Sequence, residues 1–431
     1  MNWRKPIIYG LLYLSGSKIL KYLKEIKRIE KLPQEEIKKY QEEKLKKILL
    51  HAHKNVPYYH KILSKAKVVI DGKVNLNNFN KIPILTKEII RKEGKNLYSK
   101  DYKKRRPYEN TSGGSTGEPV RFIQDKEYNG WNIANKIFYK IKAGQKQGNK
   151  ELRFWGSERD LLGGKESLKM RLRNWLYNRR EFNTFKMSEK EMFEYVKGWN
   201  KYKSSWIESY VQSIYEFAKF IEQNKLEIHS PKNGILTSAG TLFPEMRTTI
   251  EKVFKCPVYN RYGSREVGDM ACGKDILKLS LWNHKIETNK KGGIYVTALN
   301  NYSMPMIRYD IGDMGKLSRD KMSFGKLEGR GMSVFKTKEG KKIPAEFFIH
   351  FIGVVYNNDS IDKFQVIQKD YNLIKIKAVL RNRKQFEKDK IKINKVIKLE
   401  MGKDCKIKWE FVKDIKPIKS GKYLYTVSEV K

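Results

Sequence analysis

Cysteine is scarce. The chain has three, Cys256, Cys272 and Cys405, among 431 residues. They are too few and too scattered for a disulfide scaffold, and they fit a reducing compartment. Long apolar runs are missing as well. The longest, Ile7-Ile8-Tyr9-Gly10-Leu11-Leu12-Tyr13-Leu14, falls far short of the roughly 20 residues a membrane span needs. It follows Arg4 and Lys5 as a signal peptide's apolar part would, but a lysine-rich helical segment comes next and no small-residue cleavage site does. It reads as an N-terminal helix that either packs or touches a membrane. Acidic residues are in deficit, with 48 Asp+Glu against 91 Lys+Arg and a formal net charge of +43. The excess is lysine-heavy and spread over the whole chain, as an AT-rich genome would encode it. Neither zinc-finger spacing nor an aromatic RNA-binding pattern accompanies it, so no specific nucleic-acid partner is expected. Weak attraction to acidic lipid head groups or anionic polymers remains an expectation.

Enough apolar material is present to fold. Hydrophobic residues are 39% and aromatics 12%, which excludes disorder of the whole chain. The length suggests about two or three domains. Residues 34–50 read as an amphipathic helix, and His51 and His53 after it make a weak metal signal. Residues 101–110 read as an exposed connection. Ser188 with Glu191 forms a capping box, followed by a core stripe of Met192, Tyr195, Val196 and Trp199. Ile207–Ile221 looks helical. Gly234–Thr237, Pro257–Tyr259 and Gly293–Ala298 look like strands. From about Gly331 the pattern changes to strands at Phe364–Gln368, Ile374–Leu380 and Ile407–Phe411, with a helix near Lys390–Leu399. The expected fold class is α/β: a large N-terminal domain, 1–329, with a helical region over about 1–60, and a small C-terminal α+β domain, 330–431.

Five segments carry chemistry. In Thr111-Ser112-Gly113-Gly114-Ser115-Thr116-Gly117, three glycines allow close backbone approach and four hydroxyls add donors. Such a loop suits phosphate oxygens or is a Ser/Gly turn, and it is not a Walker loop because Glu118 follows. In Tyr259-Asn260-Arg261-Tyr262-Gly263-Ser264-Arg265-Glu266, after a short apolar strand, Tyr262 offers a stacking face and Asn260 an amide. Ser264 adds a hydroxyl and Glu266 a hard oxygen ligand for Mg²⁺. In Met304–Asp313, the Asp313 carboxylate suits a ribose diol, and Arg308 is a structural ion-pair candidate. Gly329-Arg330 and Lys419-Ser420-Gly421-Lys422 complete the set.

In order and content these segments resemble the adenylate-forming superfamily, within it the phenylacetate–CoA ligase branch, and within that the CapK-like proteins of capsular polysaccharide biosynthesis. Asn55–Tyr59, Arg153–Asp160, Thr237-Ser238-Ala239 and Phe364–Gln368 carry the likeness along nearly the whole chain. The resemblance implies ATP-dependent adenylation of a small carboxylic acid with pyrophosphate release, then transfer to a thiol (coenzyme A or a carrier), an amine or a hydroxyl. It implies that Thr111–Gly117 hold the ATP phosphates. Tyr262 lies against adenine with Asn260 at its edge, and Ser264, beside Gly263, touches the α-phosphate. Glu266 holds Mg²⁺, Asp313 binds the ribose, Arg330 sits at the hinge, and Lys422 reaches the α-phosphate from a mobile lid. ATP use implies a cytoplasmic location, with peripheral contact at the inner membrane surface as a further option.

Three positions depart from the pattern. Gly331-Met332-Ser333 stands where aspartates usually follow the hinge arginine. Gly240 stands for a glutamate, and Ser264 for threonine. Cys256, Cys272 and His284 do not make a four-ligand zinc set. The acid is not legible; Trp131, Phe138, Trp155 and Tyr210 are core or pocket candidates. Two alternatives stand beside ligation: transfer of AMP to a hydroxyl, and a non-catalytic relative that binds anionic polymer or membrane.

Overall fold

The computed structural model describes residues 2–111, 120–155, 168–184, 189–330, 335–339, 342–343, 347–348, 351–352, 356, 360–415 and 426–430. Four helices open the chain: α1 (Arg4–Leu14), α2 (Ile19–Ile29), α3 (Gln34–Asn55) and α4 (Pro57–Lys65). In α2, Ile19, Tyr22, Leu23, Ile26 and Ile29 recur every three or four residues, so one face is apolar and buried while its lysines face water. Pro57 starts α4, where its missing N–H costs nothing. These helices do not form a core of their own. They share one with strands more than two hundred residues away: Gln41 donates to the His284 carbonyl at 2.6 Å, and the Tyr59 hydroxyl accepts from the Ile307 N–H at 3.2 Å.

After α5 (Lys87–Glu93), the hairpin of β1 (Tyr108–Thr111) and β2 (Arg121–Gln124) replaces the end of the expected exposed connection with paired strand. Then come α6 (Lys126–Lys142), β3 (Glu151–Trp155), α7 (Leu168–Leu176), β4 (Arg179–Asn183), α8 (Glu189–Tyr202), β5 (Trp206–Tyr210), α9 (Val211–Gln223), β6 (Ile235–Ser238), α10 (Pro244–Phe254) and β7 (Val258–Ser264). Strands β4, β3, β5, β6 and β7 pair in that order and all in parallel. Helices α8–α10 cover one face through Trp199, Phe217 and Phe254, and α6 covers the other. From β7 the sheet turns antiparallel through β8 (Gly268–Gly273), β9 (Leu277–Leu279), β13 (Ser323–Arg330), β12 (Tyr309–Leu317), β11 (Gly293–Ala298) and β10 (His284–Thr288). A smaller C-terminal α+β domain follows. In it β14 (Ile361–Asp370) and β15 (Leu373–Leu380) pair antiparallel, α11 (Arg383–Met401) crosses over, and β16 (Lys406–Phe411) and β17 (Thr426–Ser428) pair parallel at the edges. The Lys219 ammonium of α9 bridges to Glu400 of α11, joining the two domains.

Two local expectations change. Ile207–Tyr210 is strand β5 and the helix begins only at Val211, because the short apolar run is buried between parallel neighbours, where period tells little. Strand β7 does not stop at Tyr259 but runs to Ser264, because its polar residues have buried partners. The stripe Val196–Trp199 is core, as expected, and Ser188 lies outside the described residues.

Those partners form a buried charge cluster between α6 and the parallel strands. Glu208 of β5 takes Lys140 at 2.7 Å, Arg261 of β7 at 3.1 Å and Arg153 of β3 at 3.3 Å. Glu151 takes Arg179 at 2.8 Å and Lys140 at 3.2 Å. Both carboxylates are under 3% exposed. Burial alone would raise their pKa values, but the surrounding cations hold both below the usual carboxylate range. Replacing Glu208 with Leu takes the shared carboxylate from three cations, leaving Lys140 to Glu151, Arg153 to Glu181 and Arg261 to Asp269, and is expected to cost about 3 kcal/mol in denaturant unfolding of the large domain. A cost below about 1 kcal/mol would show that the cluster adds nothing over apolar packing.

Candidate functional site

The parallel strands end along one edge, where open α/β sheets bind ligands. Alternation along β7 sends Arg261 to the buried charge cluster and Asn260, Tyr262 and Ser264 to the opposite face. Asn260 is nearly buried, and its amide oxygen accepts from the Thr237 hydroxyl at 3.3 Å. Gly263 is required by packing: a Cβ there would lie 2.6 Å from the Gly268 carbonyl oxygen and 2.7 Å from the Asp269 Cα. Ser264 Oγ accepts from the Val267 N–H at 3.4 Å and so shapes the turn that carries Glu266.

The antiparallel half curls across this edge. Strand β12 lies four places from β7 in the sheet, yet the Tyr262 hydroxyl donates to Asp313 Oδ2 at 2.7 Å, and the Tyr309 hydroxyl donates to Glu266 Oε1 at 3.3 Å. Tyr309 and Asp313 share the buried side of β12. The Tyr262 ring stands edge-on to Phe324, centroids 5.5 Å apart. In the β12–β13 register Asp313 pairs with Arg330, so that backbone lies beside the cluster. The β1–β2 hairpin joins through Gln124, whose amide donates to the carbonyls of Arg265 at 2.9 Å and Glu266 at 3.1 Å. Thr111 ends β1 and pairs with Arg121. The loop Ser112, Gly113, Gly114, Ser115, Thr116, Gly117 that leaves this hairpin lies outside the described residues. So do Gly331-Met332-Ser333, Gly156–Asp160, Lys419–Lys422 and the side chain of Arg330.

Of the expected residues, the structure therefore gathers Asn260, Tyr262, Gly263, Ser264, Glu266 and Asp313, with Gln124 of β2 and the end of β13 beside them. The donor set fits a nucleotide with Mg²⁺. It offers a hydroxyl, one hard carboxylate of the kind Mg²⁺ takes beside phosphate oxygens, and a second carboxylate oriented by a phenol. Arg308 is structural: its guanidinium pairs with Glu287 at 3.1 Å and donates to the carbonyls of Asn80 and Ile82. Trp155 and Tyr210 end neighbouring parallel strands with ring centroids 4.1 Å apart, and Arg153 lies 4.4 Å over the Trp155 ring. Trp131 and Phe138 are instead core, against Tyr22 and Trp282. A Cβ at Gly240 would meet Val211 Cβ at 3.2 Å, so the glycine there matches tight local packing. A cavity of about 660 Å³ lies away from this edge, against α6, Tyr259 and Cys272. Sequence reading passed over Gln124 and Tyr309; only Tyr309, inside the Met304–Asp313 segment, carried any signal.

Residues 335–429 match the family model of the CapK C-terminal domain. Over these residues the chain is similar to that family, and beyond them it is CapK-like. It is 25% identical to Protein CapK of Staphylococcus aureus over 449 residues, spanning 98% of this chain and 96% of that protein. Among solved structures, 2-hydroxyisobutyryl-CoA ligase in the postadenylation state, bound to R3-HIB-AMP, is 14% identical, with a TM-score of 0.55 over 93% of this chain and 91% of that one. The same ligase with 2-HIB-AMP and CoA, in the thioesterification state, gives the same values. This CapK-like chain therefore has the fold of adenylate-forming ligases, a large N-terminal and a small C-terminal domain.

The Glu266 turn leans on a histidine. His284 is buried, donates from Nε2 to the Val267 carbonyl at 2.6 Å and accepts at Nδ1 from the Ser280 hydroxyl at 2.8 Å. Burial pulls its pKa from 6.5 to about 4. The ring is thus neutral when folded and protonates more readily when unfolded. Its contribution is complete above pH about 6.5 and is lost as pH falls toward 4, on the order of 3 kcal/mol over that window. Stability measured from pH 6.5 down to 5 is expected to fall in the native chain and to flatten in His284→Gln. Equal slopes would remove His284 as the cause.

Proposed function

We propose that this chain is an ATP-dependent ligase that converts a small carboxylic acid to its acyl-adenylate. The reading rests on the cluster of Tyr262, Ser264, Glu266 and Asp313 at the strand edge, in a chain with the adenylate-forming fold. In this reading Thr111–Gly117 receive the phosphates, on a hairpin anchored by Gln124. Asn260 and the Tyr262 ring hold adenine, and Gly263 keeps the strand tight against its neighbour. The Tyr262 hydroxyl orients Asp313 toward the ribose, and Arg330 works at the hinge. Ser264 meets the α-phosphate. Mg²⁺, held through Glu266, supplies charge neutralisation between phosphates. Residues 330–431 act as a lid that brings Lys422 to the α-phosphate.

A carboxylate oxygen of the acid attacks the α-phosphorus, the bond to the bridging oxygen breaks, and pyrophosphate leaves. Both reactants are anions, so Lys422, Arg330 and the loop donors act by positioning and by stabilising charge as it develops. An acceptor thiol, amine or hydroxyl then attacks the acyl carbon and AMP departs. Coenzyme A is one acceptor of this kind. The CapK likeness supports an acceptor in surface polysaccharide assembly, and ATP use supports a cytoplasmic location.

Mg²⁺-dependent pyrophosphate release from ATP against a panel of acids, with hydroxylamine trapping, tests the reading. Release that depends on one acid class supports it. No release with ATP still bound, or a stable AMP conjugate of a hydroxyl compound, overturns it. Lys422→Ala is expected to cut the rate by about 100-fold or more with ATP affinity nearly kept, because its contact belongs to the transition state. Glu266→Gln is expected to raise the Mg²⁺ requirement. An unchanged requirement removes Glu266 as the metal ligand.

A further inference from the structure

Amphipathic helices on a folded domain turn their apolar stripe inward. Two helices here also present one outward. Along α1, Trp3, Ile7, Leu11 and Leu14 recur at helical spacing and are 47%, 43%, 51% and 80% exposed, while Ile8 between them is buried. On α7, a separate stretch of the chain, Leu168, Leu172 and Trp175 do the same. The two stripes meet: the Trp3 and Trp175 ring centroids are 5.9 Å apart, and the Arg4 guanidinium lies 4.5 Å from the Trp3 centroid. The result is one exposed apolar face with two tryptophans at its centre.

The charge around this face has one sign. Residues 1–24 and 168–180 contain no Asp or Glu. Next to Trp3 opens a cavity of about 490 Å³, lined by Arg4, Lys150 and Lys203 and by Asn2, Asn149 and Asn178, with no carboxylate among its walls. Arg4 Nε is buried there and has no hydrogen-bond partner among the described residues. The cavity floor is built rather than incidental. Asn2 donates to the Gln147 carbonyl at 2.6 Å, and a Cβ at Gly148 would lie 2.6 Å from Asn2 Oδ1, so the N-terminus is seated on the 147–149 turn.

We propose that this face docks on an anionic lipid bilayer. The apolar stripes of α1 and α7 would enter the acyl boundary, Trp3 and Trp175 would lie at head-group depth, and the Arg4–Lys150–Lys203 cavity would take a lipid phosphate. No described helix is long and apolar enough to cross a membrane, so the attachment is peripheral. The charge complementarity argues for lipid over a second copy of the chain, since two such basic faces would repel. The inference does not depend on the adenylation reading.

The full chain is tested by co-sedimentation with phosphatidylcholine vesicles with and without phosphatidylglycerol, at low and high salt. Binding to the anionic vesicles is expected, with part of it surviving high salt because the apolar contact is not screened. Trp3→Ser with Trp175→Ser is expected to lower partitioning about tenfold or more and to abolish the salt-resistant part. Both positions are exposed, so an unchanged thermal melt shows that the variant is folded. Lys150→Gln with Lys203→Gln is expected to reduce the preference for phosphatidylglycerol and spare the salt-resistant part. Three results would overturn the proposal: equal binding to neutral and anionic vesicles; binding wholly lost in salt and indifferent to the tryptophans, which is diffuse lysine charge; or no vesicle binding together with a dimer that the tryptophan variants dissociate.

Discussion

Glu208 is the point on which the large domain turns. A buried carboxylate is costly unless it is fully paired, and this one is paired with cations from a helix and two strands: Lys140, Arg153 and Arg261. The same lysine also reaches Glu151, which Arg179 of β4 pairs in turn. The parallel strands are thereby held in one register from below, while the aromatic cluster around Trp199 and Phe254 holds them from above. A one-residue slip of β7 would take Arg261 out of reach of Glu208 and turn it into the apolar layer, so register is specified by charge as well as by shape.

That constraint reaches the candidate site through the alternation of a strand. With Arg261 fixed on one side of β7, Asn260, Tyr262 and Ser264 have no choice but the other. The curl of the antiparallel half then brings Asp313 and Tyr309 over them, and Gln124 ties the β1–β2 hairpin to the same turn. Backbone carbonyls, a buried ion pair and two phenol–carboxylate bonds thus position groups contributed by three distant stretches of sequence.

Much of the candidate site was legible in the sequence because it sits in short runs of unusual composition. Tyr259–Glu266 and Met304–Asp313 stand out as polar residues beside apolar strands, and the small C-terminal domain announced itself by its alternation. What stayed hidden has a common physical reason. Asn260 and Arg261 look like loop residues to any hydrophobicity pattern, since their burial depends on Thr237 and Glu208, which no local window contains. Ile207–Tyr210 is too short for its period to separate strand from helix. Gln124 had no signal at all: its partners lie about 140 residues along the chain, and an amide that caps two carbonyls has no sequence signature. The sequence reads α1 as a helix that packs or touches a membrane, because an apolar stripe does not say what covers it and the neighbouring α7 lies about 160 residues away.

The long reach of the N-terminal helices has a consequence for how the protein is made. Helices α3 and α4 leave the ribosome well before the strands, and the residues that complete their core, such as His284 and Ile307, follow about 250 positions later. At about 5–20 residues per second, those apolar faces wait on the order of 10–50 s before their partners exist. During that interval the nascent chain carries a sticky, lysine-studded surface, and its yield in the cell depends on what shields it while the second half is being translated.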